Sequence, residues 1–226
     1  MTEAAEDLTA DGAGGHQFVL VGMLDSPFVR RVAIALEHYG IPYENLSVAT
    51  VRQETEFAKY SPLKRAPTLV LPGGEHLFDS HLILNHLDDF APLGRELLPA
   101  QMSARLLCRQ VMGIAAGLAD KAVAATYEKA FHRPEARNQR LLTRIQGQLN
   151  DSLAWLENVA PTSDFLFGTE LSHGDIVVGT ALCFAREQHP DLLSLDSAPR
   201  VRAWCERLDA LPVFQKTYLA VEPPKG

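Results

Sequence analysis

The sequence predicts an α/β module followed by an all-helical domain, and three observations carry that prediction. Residues Phe18 to Tyr39 read as a buried strand, a tight polar corner and an amphipathic helix. Strand and helix signals then continue in the order β-α-β-α-β-β-α over roughly 75 residues, the pattern of an α/β module. From Ser103 onward the strand signals stop and only long helical patterns remain.

The elements follow from local chemistry. Phe18 to Met23 is apolar enough for a buried strand, and Asp25-Ser26-Pro27 forms the corner. Ser26 suits the N-cap of the first helix and Pro27 its first turn, where a missing N–H costs nothing. Val29, Val32, Ala33, Leu36 and Tyr39 recur on one helical face, and Gly40-Ile41-Pro42 ends the helix. A strand is expected over Tyr43 to Val48 and a short helix over Glu54 to Tyr60, stopped by Ser61-Pro62. Thr68 to Leu71 is a continuous apolar run consistent with a central strand, with Pro67 at its entrance. Pro72-Gly73-Gly74-Glu75 is a hairpin turn, His76 to Phe78 the returning strand, and His81 to Phe90 a helix with Leu82, Ile83, Leu87 and Phe90 inward. The organisation expected is a disordered tail over residues 1–16, the α/β module over 17–91, a linker over 92–102 and the helical domain over 103–226. Helices are expected from Ser103 to Phe131, Pro134 to Val159, Gly174 to Glu187, Arg200 to Leu208 and Val213 to Ala220. Ser172 and Asp175 form a capping-box variant, with Leu171 and Ile176 at the staple positions, a signal for starting a buried helix.

Composition narrows the function classes. Hydrophobic content of 46% and charged content of 22% are ordinary for a globular protein, and the net charge of -7 argues against a general nucleic-acid binder. The first sixteen residues lack the apolar core of a signal peptide, and no stretch has the length of a membrane span. Three widely spaced cysteines, Cys108, Cys183 and Cys205, give neither a disulfide framework nor a metal-ligand pattern. His76, His81 and His86 do not have ligand spacing either. The expectation is a cytoplasmic protein with no metal, no membrane and no nucleic-acid partner.

The corner at Ser26 presents a hydroxyl and free helix-start N–H groups at the carboxyl end of a strand, an arrangement suited to an anion. Together with three further motifs it resembles the cytosolic glutathione transferase family. The four are Ser26-Pro27-Phe28-Val29-Arg30-Arg31-Val32, Ser61-Pro62-Leu63-Lys64-Arg65-Ala66-Pro67, Asp79-Ser80 and Ser172-x-x-Asp175, in that order across the chain. The resemblance implies a thioredoxin-like N-terminal domain holding glutathione as co-substrate, and an all-helical domain forming the wall where a hydrophobic electrophile binds. It further implies a detoxifying transferase, a homodimer, and a cis peptide before Pro67 that presents the backbone of Ala66 to the cysteinyl part of glutathione. Asp79 and Ser80 match the residues that hold the γ-glutamyl ammonium and carboxylate, and Arg65 or Lys64 is the candidate for the glycyl carboxylate. Lys64 stands where the family often has glycine, Ala66 where it often has valine, and Asp79 is shorter than the usual glutamate or glutamine.

Ser26 matches the family's serine-type catalytic residue. A capping serine accepts from backbone N–H groups and still has its own proton to donate, so capping and catalysis are compatible. The N–H of Phe28 is the alternative donor to the sulfur. No tyrosine lies near the end of the first strand, and no cysteine lies in the corner, which argues against tyrosine-type and mixed-disulfide chemistry. Met112, Ile114, Ala116 and Asp120 lie on the helix that lines the electrophile pocket in the family, although small residues there also suit helix packing or a subunit contact. Arg30 and Arg31 are expected in surface or interdomain pairs, and Trp155 and Trp204 in the core. Two other readings stand beside conjugation. One is a glutathione-dependent isomerase, dehalogenase or ether-cleaving enzyme on the same site, and the other is a non-catalytic protein-interaction module.

Overall fold

The computed structural model describes residues 17–221, so the tail expected over residues 1–16 lies outside the described residues. The N-terminal part contains β1 (Phe18–Val21), α1 (Pro27–Tyr39), β2 (Tyr43–Leu46), α2 (Glu54–Phe57), β3 (Thr68–Val70), β4 (His76–Phe78) and α3 (Ser80–Leu87). The sheet order is β2-β1-β3-β4. β1 and β2 are parallel, whereas β1–β3 and β3–β4 are antiparallel. This is the expected β-α-β-α-β-β-α order.

Strand alternation divides the sheet between two cores. Phe18, Leu20 and Leu69 join the main core with α1 and α3, while Val21 points to the other face and packs with Val48 and Phe57. The strands are shorter than expected, and β1 ends for a visible reason. Gly22 has φ +135°, and a Cβ there would sit 2.7 Å from Val29 Cγ2 and 3.1 Å from Ala66 Cβ. Only glycine lets the end of β1, the first turn of α1 and the loop before β3 converge this closely. Asn45 fixes the same turn, its side-chain amide donating to the carbonyls of Leu20 and Gly22. α2 stops at Phe57, where the chain turns through N–H bonds from Tyr60 and Ser61 to the Phe57 carbonyl. α3 ends at Leu87 and continues as a single 3-10 turn over Asp88–Phe90. Leu82 corrects the sequence reading: it is 59% exposed, because Ser80, Ile83, Leu84 and Leu87 form the buried face of α3.

The remaining described residues carry α4 (Met102–Phe131), α5 (Gln139–Val159), α6 (His173–Gln188), α7 (Pro199–Asp209) and α8 (Pro212–Lys216), joined by loops, with an isolated bridge between Phe165 and Gly168. α5 begins later than expected. Pro134–Ala136 is a 3-10 turn, and Asn138 caps α5 by accepting from the N–H of Leu141. α8 ends at Lys216 rather than Ala220.

α6 runs through the centre, buried from His173 to Ala185 and packed on α1, α4 and α7. The expected capping box at its start is complete. The buried Asp175 carboxylate accepts from the N–H and hydroxyl of Ser172, the N–H of Leu166 and the indole N–H of Trp204. Trp204 is fully buried, while Trp155 is partly buried against the core.

Two polar nodes join the sheet region to the helices. Arg30 is only 5% exposed and donates to Cys183 Sγ at 3.2 Å and to the Phe214 carbonyl at 2.9 Å, with its guanidinium against the rings of Phe214 and Tyr218. Asp88 Oδ1 accepts from the Tyr39 hydroxyl and contacts His173 Nε2, each at 2.6 Å. Burial, followed by the Asp88 contact, pushes the Tyr39 phenol strongly up, so it stays protonated and donates.

Candidate active site

A cleft of about 770 Å³ opens where β1, α1 and the loop before β3 face α4. Its polar end is the corner at Ser26. Ser26 occupies the N-cap position of α1, as the sequence predicts, with extended backbone angles of φ -71° and ψ 128°. Its carbonyl accepts the first helical bond, from the N–H of Arg30 at 2.9 Å. Its side chain makes no capping hydrogen bond. The half-buried hydroxyl on the cleft wall is therefore not spent on the helix. The N–H groups of Phe28 and Val29 precede that first helical bond and add the partial positive charge of a helix start.

The loop before β3 supplies Lys64, Arg65 and Ala66 to the same cleft. The Ala66–Pro67 peptide is cis, as the resemblance implies. Lys64 has φ +51°, in the left-handed region that favours glycine, which accounts physically for the glycine often found at this place. Both cations expected for a carboxylate are already in exposed ion pairs. Lys64 contacts Glu54, and Arg65 reaches across the cleft to Asp120 of α4 at 2.8 Å.

Pro67, Asp79 and Ser80 are not on the open cleft wall. Pro67 is buried at the entrance to β3. Asp79 caps α3, its carboxylate accepting from the N–H of His81 at 2.8 Å, and its backbone has φ +66°. A non-glycine residue held in that region is a sign of local constraint. Ser80 begins α3 and is 3% exposed, with its oxygen accepting from Arg31 Nη2.

Arg31 links this site to the cleft. It is 2% exposed, and its guanidinium lies 5.0 Å from the centre of the Phe28 ring, which lines the cleft. Arg65 lies 5.6 Å from the same ring. Burial lowers the Arg31 pKa to about 10, opposed by Asp79 and Asp120, so the side chain remains a cation at neutral pH. Burial and the charge of Arg31 lower His81 to about 4, leaving it neutral there. The sequence predicts a surface or interdomain pair for Arg31. Nothing in its spacing shows that the helix face carrying it turns toward Ser80.

Met112 and Ala116 do not join the site. Both are buried in the main core, and the cleft wall lies further along α4, at Asp120, Val123, Ala124, Tyr127 and Phe131. Tyr127 and Phe131 are one turn apart, with ring centres 5.7 Å apart and exposures of 41% and 61%. Two aromatics at i, i+4 on the last turns of a long helix are the sequence signal for this wall. Leu63, Val51 and Phe184 extend its apolar surface. Among the described residues, no group of three or more His, Cys, Asp or Glu side chains is placed to hold a metal ion, and no helix is long and apolar enough to cross a membrane.

Known proteins share this fold. The N-terminal domain of glutathione S-transferases matches residues 20–95, and the C-terminal domain of the same enzymes matches residues 135–207. The GST-like protein YibF of Escherichia coli (strain K12) is 33% identical over 141 residues, covering 61% of this chain and 67% of that protein. Glutathione S-transferase 3 of Zea mays is 29% identical over 226 residues, covering 91% of this chain and 95% of that one. A glutathione S-transferase of Methylobacterium radiotolerans, crystallised with glutathione sulfonate, superposes with a TM-score of 0.84 at 26% identity, covering 91% and 96% of the two chains. A glutathione transferase family member from Pseudomonas fluorescens Pf-5 with bound glutathione gives a TM-score of 0.80 at 27% identity, covering 90% and 100%. With both halves matched and the same fold found in these relatives, the chain belongs to the glutathione S-transferase family.

Proposed function

We propose that this protein conjugates the thiolate of glutathione to a small hydrophobic electrophile. The observation that carries the reading is the uncapped Ser26 hydroxyl at the start of α1, facing a cleft whose far wall is apolar. Glutathione bound in one structural relative and glutathione sulfonate in another support the choice of co-substrate. A free thiol has a pKa near 8.5, so only a few per cent is ionised at neutral pH. Lowering that value by two units requires about 2.7 kcal/mol. A hydrogen bond to a charged group supplies roughly 1.5–3 kcal/mol, and a helix start a few tenths to about 1. Ser26 and the first turn of α1 together are sufficient without a metal.

In this reading Ser26 donates to the thiolate and the backbone of Ala66, beside Pro67, aligns the cysteinyl unit. Asp79 and Ser80 hold the γ-glutamyl end. Asp79 uses one oxygen on the His81 N–H, leaving the other for an ammonium group. Arg65 or Lys64 receives the glycyl carboxylate by exchanging its present ion pair for it. Both pairs are solvent-exposed and are worth about 0–1 kcal/mol each, so the exchange is inexpensive. The electrophile packs against Phe28, Val123, Ala124, Tyr127 and Phe131. Two copies of the chain associate through the exposed apolar side chains Leu82 of α3 and Met102 and Leu106 of α4.

Calorimetry with glutathione on wild type and Ser26→Ala, with thiolate absorbance followed against pH, tests the proposal. The expected result is that both bind and only the wild type lowers the thiol pKa, by about two units. If both lower it equally, the backbone N–H of Phe28, rather than Ser26, activates the thiol. If neither binds, the enzyme reading fails and an interaction module takes its place. Product analysis then separates conjugation from isomerisation or dehalogenation.

A further inference from the structure

The cleft is not apolar throughout its helical side. Where α4 and α6 both contribute to its lining, Thr126 and Gln188 stand among the apolar groups. His189, directly after α6, is 1% exposed and governs the first of them. Its Nδ1 lies 3.1 Å from Lys129 Nζ, and its Nε2 lies 2.8 Å from the Ala122 carbonyl and 2.9 Å from Thr126 Oγ1. An ammonium group only donates, so Nδ1 accepts and the ring proton sits on Nε2. Lys129 is held in turn by both oxygens of Asp191, each at 2.9 Å. Burial, followed by the charge of Lys129, lowers the His189 pKa, and the ring is neutral at neutral pH.

This fixed tautomer leaves one proton over. The Ala122 carbonyl has two lone pairs. One receives the N–H of Thr126, four residues on in α4, and the other the Nε2–H of His189. The Thr126 hydroxyl lies 3.1 Å from the same oxygen but finds both lone pairs taken, so its proton is available to another acceptor. Thr126 is half-buried on the cleft wall. Gln188 is half-buried there too, and its side-chain amide has no hydrogen-bond partner among the described residues. A hydrocarbon surface pressed against these two groups would strip their water and return no hydrogen bond, at a cost in affinity.

We propose that Thr126 and Gln188 form a specificity subsite for an uncharged oxygen acceptor, such as a carbonyl or nitro oxygen, on the electrophile, with His189 positioning the Thr126 hydroxyl. The inference rests on the reading that glutathione and an electrophile share the cleft. It narrows the electrophile from any apolar molecule to an apolar one that carries such an oxygen. The acceptor is uncharged because both donors are neutral and the nearby Lys129 charge is already matched by Asp191.

The test is calorimetry on the full chain with glutathione, S-(4-acetylbenzyl)glutathione and S-(4-isopropylbenzyl)glutathione. The two conjugates are nearly equal in size, and only the first offers a carbonyl oxygen. The wild type is expected to bind the acetyl conjugate about tenfold more tightly than the isopropyl one. Thr126→Val and Gln188→Leu each remove a donor at similar volume, and each is expected to lower that ratio to about threefold, the double variant abolishing it. Lys129→Met frees the His189 ring to change tautomer and accept the Thr126 proton, so it is expected to lower the ratio as Thr126→Val does. A purely structural role for Lys129 and His189 would weaken both conjugates alike, and an unchanged ratio overturns the positioning role. A wild-type ratio below about twofold, or single and double variants that keep the full preference, overturns the subsite. Failure of the wild type to bind glutathione overturns the functional reading itself, whereas glutathione bound without any preference between the conjugates overturns this inference alone.

Discussion

Two serines begin two helices in this protein, and they are used in opposite ways. Ser172 starts α6 in the interior, at 3% exposure, with both halves of a capping box formed and its hydroxyl donating to Asp175 at 2.6 Å. Ser26 starts α1 at the wall of a cleft, with the same extended backbone class and no side-chain cap. The residue type and the position in the helix are the same. What differs is access, and whether the oxygen and proton are already committed. A fully satisfied cap strengthens the fold, and an unsatisfied one leaves a donor for a ligand.

The largest expected effect lies on the satisfied side. Asp175→Ala removes the acceptor for Leu166, Ser172 and Trp204 at once. Each buried donor left without a partner costs roughly 1–3 kcal/mol, so a loss of at least about 3 kcal/mol in urea unfolding is expected. A loss below about 1 kcal/mol would break the comparison by showing that this start is not a folding device. Ser26→Ala comes next, and its effect falls on chemistry. The expected loss is about 10- to 100-fold in kcat/KM, from the roughly 1.5–3 kcal/mol of one charge-assisted hydrogen bond, with urea stability unchanged within about 0.5 kcal/mol. Ser172→Ala sits below it, at about 1–2 kcal/mol of stability and no change in the pKa of a bound thiol.

Acid offers a way to sharpen the contrast between the two regions. His81, beside Arg31, has its folded pKa lowered from 6.5 to about 4. Burial likewise lowers His38 and His189. The unfolded chain therefore binds more protons in this range, and stability falls as pH drops from about 6.5 toward 4. His81→Gln is expected to flatten that part of the thermal-melting profile, and an unchanged slope would remove His81 from the account. The smallest effect is expected at Lys64→Gly. Relief of the left-handed conformation is worth about 1 kcal/mol, but the added freedom of the unfolded chain offsets about 0.4–1 kcal/mol of it. The net change expected in urea unfolding is below about 0.5 kcal/mol, and a destabilisation above about 1 kcal/mol would show that the Glu54 pair outweighs the backbone.

Part of this architecture is legible in the sequence, and the reasons divide cleanly. The element order, the Ser26 corner, the Gly40 stop and the Ser172–Asp175 box are all written in residues close together in the chain, where helix-start and helix-stop chemistry operates. Leu82 shows the limit of apolarity as a guide, because an exposed leucine and a buried one look alike until the helix face is fixed. Family likeness places Met112 and Ala116 at the cleft, yet a 30-residue helix passes through core and cleft in turn, and the structure puts the cleft later along it. Arg31 and Arg30 are adjacent arginines with no local distinguishing mark. One meets Ser80, 49 residues away, and the other Cys183, 153 residues away. Contacts at such separations are set by packing, which local pattern does not encode.

The Arg30 clasp has a consequence for recombination between relatives. Arg30 leaves the sheet region and spends Nη1 on a sulfur of α6 and Nη2 on a carbonyl of α8, beside the rings of Phe214 and Tyr218, while its Nε is buried without a partner. A chimera that joins residues up to about Ala91 to the helical half of another family member must bring a matching acceptor set. Otherwise the transplant encloses a guanidinium with nothing to receive it. The cut that looks natural on the linear map is thus one of the least interchangeable joints in the molecule, and Cys183 and Phe214 should travel with the front half.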